Sequence, residues 1–562
     1  MSEVQRVRRR TGFARLVALL AALALVAVAC GGDDGGNGGT AGGDDDRTTT
    51  TEDLGEPVRG GSIVVGLEAE TNSWLPGEYA GANSGQTVAL TFYDPLIQRD
   101  EDGVLRPYLA ESIEENDDLT EWTLRLRGGI KFHDGTDLNA QVLKTIFDEY
   151  LKAEGATTAG TLATVTEMRV DDDLTVTYLL SEPNAAFPDI LQGTIGWPFS
   201  VEAARAAGAD AGSRPVGTGP FKFERWTRDD QLVVVRNEDY WREGLPYLDR
   251  ITFRPIPDED TRVQSLFSGD LDAMQSLRGS AIKQVMERDG YTAHLSTENL
   301  TGASIFNTLV PPLDDVRIRR AFAMSLQADD VAAVLGDDGL VDETTQWFST
   351  DSPWWSQRVA DAYPSYDPDG ATQLVEEYKN DPERSDGKAV GEPVTFEYQC
   401  PPDPSLIEIA QLVQGAGATI GLEINLAQVE QAAHIQDGIN GEYEVNCWRV
   451  GSQDDPATTL GNAFDDPETQ ILNFTNFTHP EIDRLVDELK RTADFDERYE
   501  LVEQIGLIIN EHVPVSFGVG TPTMVGVRNA VKNVPGWTFP DGTRGNGHPS
   551  AIARFVEVWL EE

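Results

Sequence analysis

Apolar side chains fall at every second position, or in short unbroken runs, in seven stretches: SIVVGLEAE (62–70), EWTLRLR (121–127), LTVTYLL (174–180), LVVVRN (232–237), RITFRPIP (250–257), VTFEYQC (394–400) and LEINLAQV (422–429). Runs of this kind, rich in β-branched and aromatic residues, predict β-strands. Between them the spacing lengthens to that of a helix. Leu143, Ile146, Phe147 and Tyr150 share one face, as do Leu406, Ile409, Ala410 and Val413, and again Ile482, Leu485, Val486 and Leu489. Asp314 and Asp315 precede a further helix, whose inward face is read as Val316, Arg320, Ala323 and Leu326. The alternation of the two periods predicts an α/β fold.

One unit is especially legible. Strand 394–400, a helix at about 405–418, strand 422–429, a helix at about 431–440 and strand 443–448 form a βαβαβ run. In open parallel sheets a ligand approaches the carboxyl ends of the strands, which places Trp448, Arg449 and the loop GSQDDPATT (451–459) beside one. The alternative is that Trp448 is core, that Arg449 forms an internal ion pair, and that Asp454 and Asp455 cap the next helix ahead of Pro456.

The ends of the chain change the picture. Five arginines (Arg6, Arg8, Arg9, Arg10, Arg15) precede an apolar run, Leu16 to Ala29, which meets Cys30. That is the layout of a secretory signal, too short for a permanent span. Ala27-Val28-Ala29-Cys30 resembles a bacterial lipobox, which implies cleavage before Cys30 and a diacylglycerol on its thiol. Residues 30–58 are an acidic, Gly-rich tether with too few large apolar side chains to offset the entropy of ordering. The lipid then holds the globular part at the outer face of the cytoplasmic membrane, in the cell envelope.

The 562 residues carry 44 basic and 95 acidic side chains, a net charge of −51. Removing 1–29 takes five Arg and one Glu, leaving 39 and 94, or about −55. So acidic a surface excludes nucleic acid as a partner and any docking of the protein surface itself on anionic headgroups. It also suggests a salt-rich setting, where cations screen the self-repulsion. Cys400 and Cys447 are the other cysteines. In an oxidising compartment they are either a disulfide between neighbouring strands or two buried thiols.

No motif carries catalysis. There is no Walker loop, GxGxxG, GxSxG or HExxH. The six histidines (133, 294, 434, 479, 512, 548) show no metal-ligand spacing, so neither catalytic residues, a metal nor a cofactor is expected. His512 is read as a cation at a helix C-terminus.

Long blocks in order across the chain resemble the family 5 extracellular solute-binding proteins of ABC importers, the peptide- and nickel-binding group. They are 60–77, 93–143 (YDPLIQRDEDGVLRPYLAESIEENDD and onward), 215–226 (PVGTGPFKFERW), 236–274, 306–327, 477–519 and 527–534. The resemblance implies a large two-lobed periplasmic-binding-protein-like fold, type II-like with an extra subdomain. Lobe one would combine 59–96, 197–300 and 521–562, with 97–196 as its side subdomain. Lobe two would be 301–520, with hinge crossings near 301–307 and 515–525. It further implies a monomer that captures a peptide or other small molecule and hands it to ABC permease subunits without altering it. A non-peptide ligand such as an oligosaccharide or anionic solute, or a sensory role on the same fold, stands as the alternative.

In peptide-binding relatives an aspartate a few residues after this loop's tryptophan pairs with the ligand's amino terminus. Here Arg449-Val450-Gly451-Ser452-Gln453 intervenes, and the first carboxylate is Asp454. A guanidinium beside the tryptophan sets a free amino terminus against the local charge, and a ligand with carboxylate, phosphate or sugar hydroxyls becomes equally reasonable. The remaining candidates for ligand contact are Trp74 and Tyr79 after the first strand, Asn307 at a hinge crossing, and Trp354 and Trp355 in lobe two, each with core packing as its alternative.

Overall fold

A computed structural model describes residues 55–79, 83–152, 162, 164–296, 300–335, 340, 342–350, 352–451, 455–467 and 472–561. The signal segment 1–29, Cys30, the tether up to 54 and Asp454 lie outside the described residues. Among the described residues no helix is long and apolar enough to cross a membrane.

All seven alternating stretches form strands. Lobe one is built on a seven-stranded sheet in the spatial order Tyr291–Leu295, Met524–Arg528, Ala273–Ser276, Ser62–Leu67, Arg250–Pro255, Gln231–Arg236 and Phe221–Thr227. A separate antiparallel sheet, Ala110–Glu115, Glu121–Leu126, Thr175–Leu180 and Val165–Val170, packs with the helix Ala140–Lys152. That helix buries Leu143, Ile146, Phe147 and Tyr150, the face its period indicates.

Lobe two holds the second large sheet, with strands β1 (Leu300–Phe306), β2 (Val394–Cys400), β3 (Leu422–Gln428), β4 (Val445–Val450) and β5 (Val515–Thr521). Its helices include α1 (Val316–Met324), α2 (Ala328–Leu335), α3 (Pro404–Thr419), α4 (Gln431–Asn440), α5 (Pro456–Phe464), α6 (Pro480–Arg491) and α7 (Phe495–His512). The strand order is Asp342–Glu343, β5, β1, β4, β2, β3. β2 pairs in parallel with both β3 and β4. The chain therefore steps outward over α3 and returns over α4 on the opposite face, so that both crossovers keep one hand. One face of the sheet buries Phe306, Phe322, Tyr398 and Val413. The other buries Ile305, Phe464, Leu485 and Ile505 against α5 to α7.

Two readings change. α1 buries Ile318, Ala321 and Phe322 rather than a stripe through Val316 and Arg320, because the buried Arg319 turns inward to hold the chain end of α7. The cations at that C-terminus are Arg319 and Arg320, which donate to the carbonyls of His512 and Glu511. Burial instead lowers the pKa of His512; Glu511 opposes this, while the neighbouring His479, Arg319 and Arg320 act with it. Residues 301–306 and 515–521, where the hinge crossings are expected, are paired with each other within the sheet. Beside them the Ser296 amide donates to the Thr523 carbonyl at 2.8 Å.

Candidate functional site

An open cleft of about 860 Å³, the solvent at its mouth included, lies against the lobe-two sheet, at the edge facing lobe one. Its floor is Gly302 and Ser304 of β1 with Ser516 and Gly518 of β5. Small residues alternate at these inward positions, leaving space that large side chains would fill. Gly518 is also required sterically, since a Cβ there would stand 2.9 Å from the Gly302 carbonyl. One wall is Leu326 with Val331 and Leu335 of α2; the facing wall is Leu406, Ile409 and Val413 of α3. Lobe one contributes Leu277 and Arg278 at the mouth, joined by Thr523 from the hinge crossing.

α3 begins where Asp403 caps it, accepting the amides of Ser405 and Leu406, with Pro404 opening the first turn. Its apolar stripe is the one its sequence indicates, but only Ala410 and Val413 are fully buried. Leu406 and Ile409 are half-buried and face the open cavity.

Strand alternation divides the Trp448–Arg449 pair. Cys447 and Arg449 share a face of β4 with the cavity, while the Trp448 ring stacks on His434 (5.5 Å) and meets Phe474 edge-on (5.1 Å). Trp448 still borders the cavity. Arg449 is open to water within the cleft yet hemmed in by protein on most sides, which reconciles its accessible surface with its electrostatics. Desolvation lowers its pKa first, Glu68 opposes this, Arg278 adds to it, and Asp403 and Glu259 oppose it. Among the described residues its guanidinium makes no hydrogen bond or ion pair, whereas Arg278 lies 2.5 Å from Asp403.

The floor's polar groups answer one another. Ser304 Oγ and the Tyr398 hydroxyl are 3.0 Å apart, and burial pushes the Tyr398 pKa up to about 12. Thr523 Oγ1 is buried at the mouth without a partner. Cys400 and Cys447 are joined by a disulfide, with Cα atoms 5.2 Å apart. The parallel register that sets Tyr398 opposite Val445 and Gln399 opposite Asn446 sets the next pair, the two cysteines, face to face. Cys447 lines the cavity.

The structure does not bring the other candidates here. Trp74 is buried in the lobe-one core between Phe92 and Trp226. Tyr79 packs edge-on against Trp197 at 5.7 Å. Asn307 is buried and donates to the carbonyls of Gly441 and Tyr443, holding the turn before β4. Trp354 lies over Phe495 at 4.8 Å, and Trp355 lines a separate small cavity with Thr344 and Phe348. Asp455 is the N-cap of α5 and pairs with Arg498, the capping alternative. Sequence pattern marks Leu406 and Ile409 only as part of a helix's apolar face, and Arg278 and the floor glycines not at all. An amphipathic stripe reads the same whether it faces side chains or a hollow, and nothing local marks Arg278. Among the described residues no group of three His, Cys, Asp or Glu side chains is placed to hold a metal ion.

Comparison with known proteins adds the family. The profile described as bacterial extracellular solute-binding proteins, family 5 (middle) matches residues 104–470. A di/tripeptide-binding protein 1 of Pseudomonas aeruginosa is 25% identical over 496 residues, covering 81% of this chain and 88% of that protein. A glutathione-binding protein, GsiB, of Salmonella choleraesuis is 26% identical over 475 residues, with the same coverage of 81% and 88%. Among solved structures, the Helicobacter pylori periplasmic binding protein DppA in complex with the peptide STSA superposes with a TM-score of 0.79 at 21% identity, over 90% of this chain and 99% of that one. AgaA from Agrobacterium (A.tumefacien R10) in complex with agropinic acid gives 0.77 at 23% identity, over 89% and 99%.

Proposed function

Because the chain belongs to the bacterial extracellular solute-binding proteins of family 5, we propose that it captures a small solute between its two lobes and delivers it, chemically unchanged, to an ABC permease. The observation that carries this reading is the cavity beside the hinge, whose walls belong to lobe two and whose mouth is lined by Leu277 and Arg278 of lobe one. A ligand seated there touches both lobes only when they are together, so binding favours the closed form. The head acts as a monomer tethered through residues 30–58 to a lipid on Cys30, at the outer face of the cytoplasmic membrane.

An oligopeptide or related compound is the first ligand class, supported by relatives named for di- and tripeptides and for glutathione. An anionic non-peptide solute is the second, favoured by the unengaged Arg449 at the cavity. Small-angle scattering of the purified protein with a panel of peptides, opine-like acids, oligosaccharides and nickel–histidine tests capture. One class is expected to reduce the radius of gyration and to raise the melting temperature, by about 2.7 kcal/mol of stability at a hundredfold excess over Kd. Compaction by no solute, or conversion of one into product, contradicts it.

A further inference from the structure

We infer that the lobe-two cavity takes a small carboxylate with an apolar body, its head at Arg449, Arg278 and Thr523 and its body between α2 and α3. This rests on the solute-capture reading above and names the ligand class of that site.

The body follows from surface that has no partner. Leu326, Val331 and Leu335 on one side and Leu406 and Ile409 on the other are only half-buried, and what they face is the cavity. Left to water, this apolar lining carries a hydration cost that an apolar ligand would recover. The floor of Gly302, Ser304, Ser516 and Gly518 offers no charge, and its Ser304 and Tyr398 hydroxyls are satisfied by each other.

The head follows from what surrounds the mouth. Apart from the Glu68 carboxylate, the uncommitted polar groups there are able to donate: the Arg449 guanidinium without a bond among the described residues, the remaining donors of Arg278, and the buried, unpartnered Thr523 hydroxyl. The nearby carboxylates are largely engaged. Asp403 serves Arg278 and the first turn of α3. Glu259 is held by Arg262 and by the Ser276 hydroxyl. Glu68 is the remaining acid and forms no ion pair with Arg449 within 4.0 Å among the described residues. Two guanidiniums at one rim repel a cationic head and match a planar oxyanion.

The test is calorimetric titration of the full chain with three probes sharing one body: 4-phenylbutyrate, 4-phenylbutanamide and 4-phenylbutylamine. The carboxylate is expected to bind about tenfold or more tightly than the amide, and the amine weakest. Arg449→Gln should remove that preference, weakening the acid far more than the amide. Gly302→Val, where a Cβ meets nothing nearer than the Val519 carbonyl at 3.7 Å, should weaken all three by narrowing the floor. Equal binding of acid and amide, preference for the amine, a preference surviving in Arg449→Gln, or no binding of any probe overturns the assignment. If a peptide compacts the protein in scattering while the three probes do nothing, capture stands and this inference falls. If no solute compacts it, capture itself falls.

Discussion

The Arg278 guanidinium of lobe one lies 2.5 Å from Asp403 Oδ1 of lobe two, and that same oxygen accepts the amides of Ser405 and Leu406 that open α3. One carboxylate thus caps the helix that walls the cavity and ties that helix to the opposite lobe. The ion pair exists only while the lobes are together, so it biases closure and does not merely decorate the rim. A second tie lies at the side subdomain, where the buried Asp189 carboxylate accepts the Asp455 amide at the start of α5 and pairs with Arg99.

Arg278→Ala is expected to weaken ligand binding by about three- to tenfold, chiefly through faster release, with little change in unliganded stability. A partly exposed pair of this kind contributes about 1 kcal/mol or less. Stopped-flow release of a bound ligand reads the first effect and thermal unfolding the second. Unchanged release kinetics would remove Arg278 from the closing mechanism.

Reduction of the Cys400–Cys447 bridge, or replacement of both cysteines by Ser, should lower stability by about 2–4 kcal/mol. The bridge closes a loop of sequence separation 47, and its loss frees the unfolded chain. Urea unfolding with and without dithiothreitol measures this, and coincident midpoints would show that the bridge adds nothing.

Arg319→Leu should destabilise lobe two by roughly 3 kcal/mol or more. Its buried guanidinium donates to the carbonyls of Leu313, Asp314, His512 and Val513, joining the turn before α1 to the end of α7. Removing it leaves those acceptors buried without a donor. Although burial lowers its pKa to about 10, it remains charged at neutral pH. Denaturant titration of the variant is the check, and a loss below the noise of the extrapolation would refute the role.

Acid should destabilise the protein through His133. Burial pushes its pKa from 6.5 down to about 4, opposed by its bond to the Gly219 carbonyl. As pH falls from 6.5 to about 4 the unfolded chain takes a proton that the folded ring refuses, so stability is lost across that window, by roughly 3 kcal/mol at its lower end. His133→Gln should flatten the pH dependence of the melting temperature there. A slope identical to that of the parent protein would contradict this.

Local pattern foretold much of the fold. The seven strands, the helical faces of Ala140–Lys152 and α6, and the βαβαβ order of β2 to β4 all follow from periods of two and near four, which a chain displays before it folds. The candidate site was less legible. Trp354 and Trp355, read together as adjacent indoles, find separate surroundings, one over Phe495 and one beside Thr344. Trp448 and Arg449 part for a simpler reason: neighbours on a strand point to opposite faces.

By itself the sequence determined which segments become strands and helices and which residues are too polar or too apolar to lie elsewhere, while it left Cys400 and Cys447 as either a disulfide or two buried thiols. Only the tertiary structure decided that Leu406 and Ile409 border a hollow, that Gly302 and Gly518 form its floor, and that Arg278 arrives from the other lobe to meet Asp403. Periodicity depends on residues three or four positions apart. A cavity depends on the sizes of side chains brought together from more than a hundred positions apart, and no local pattern records that sum.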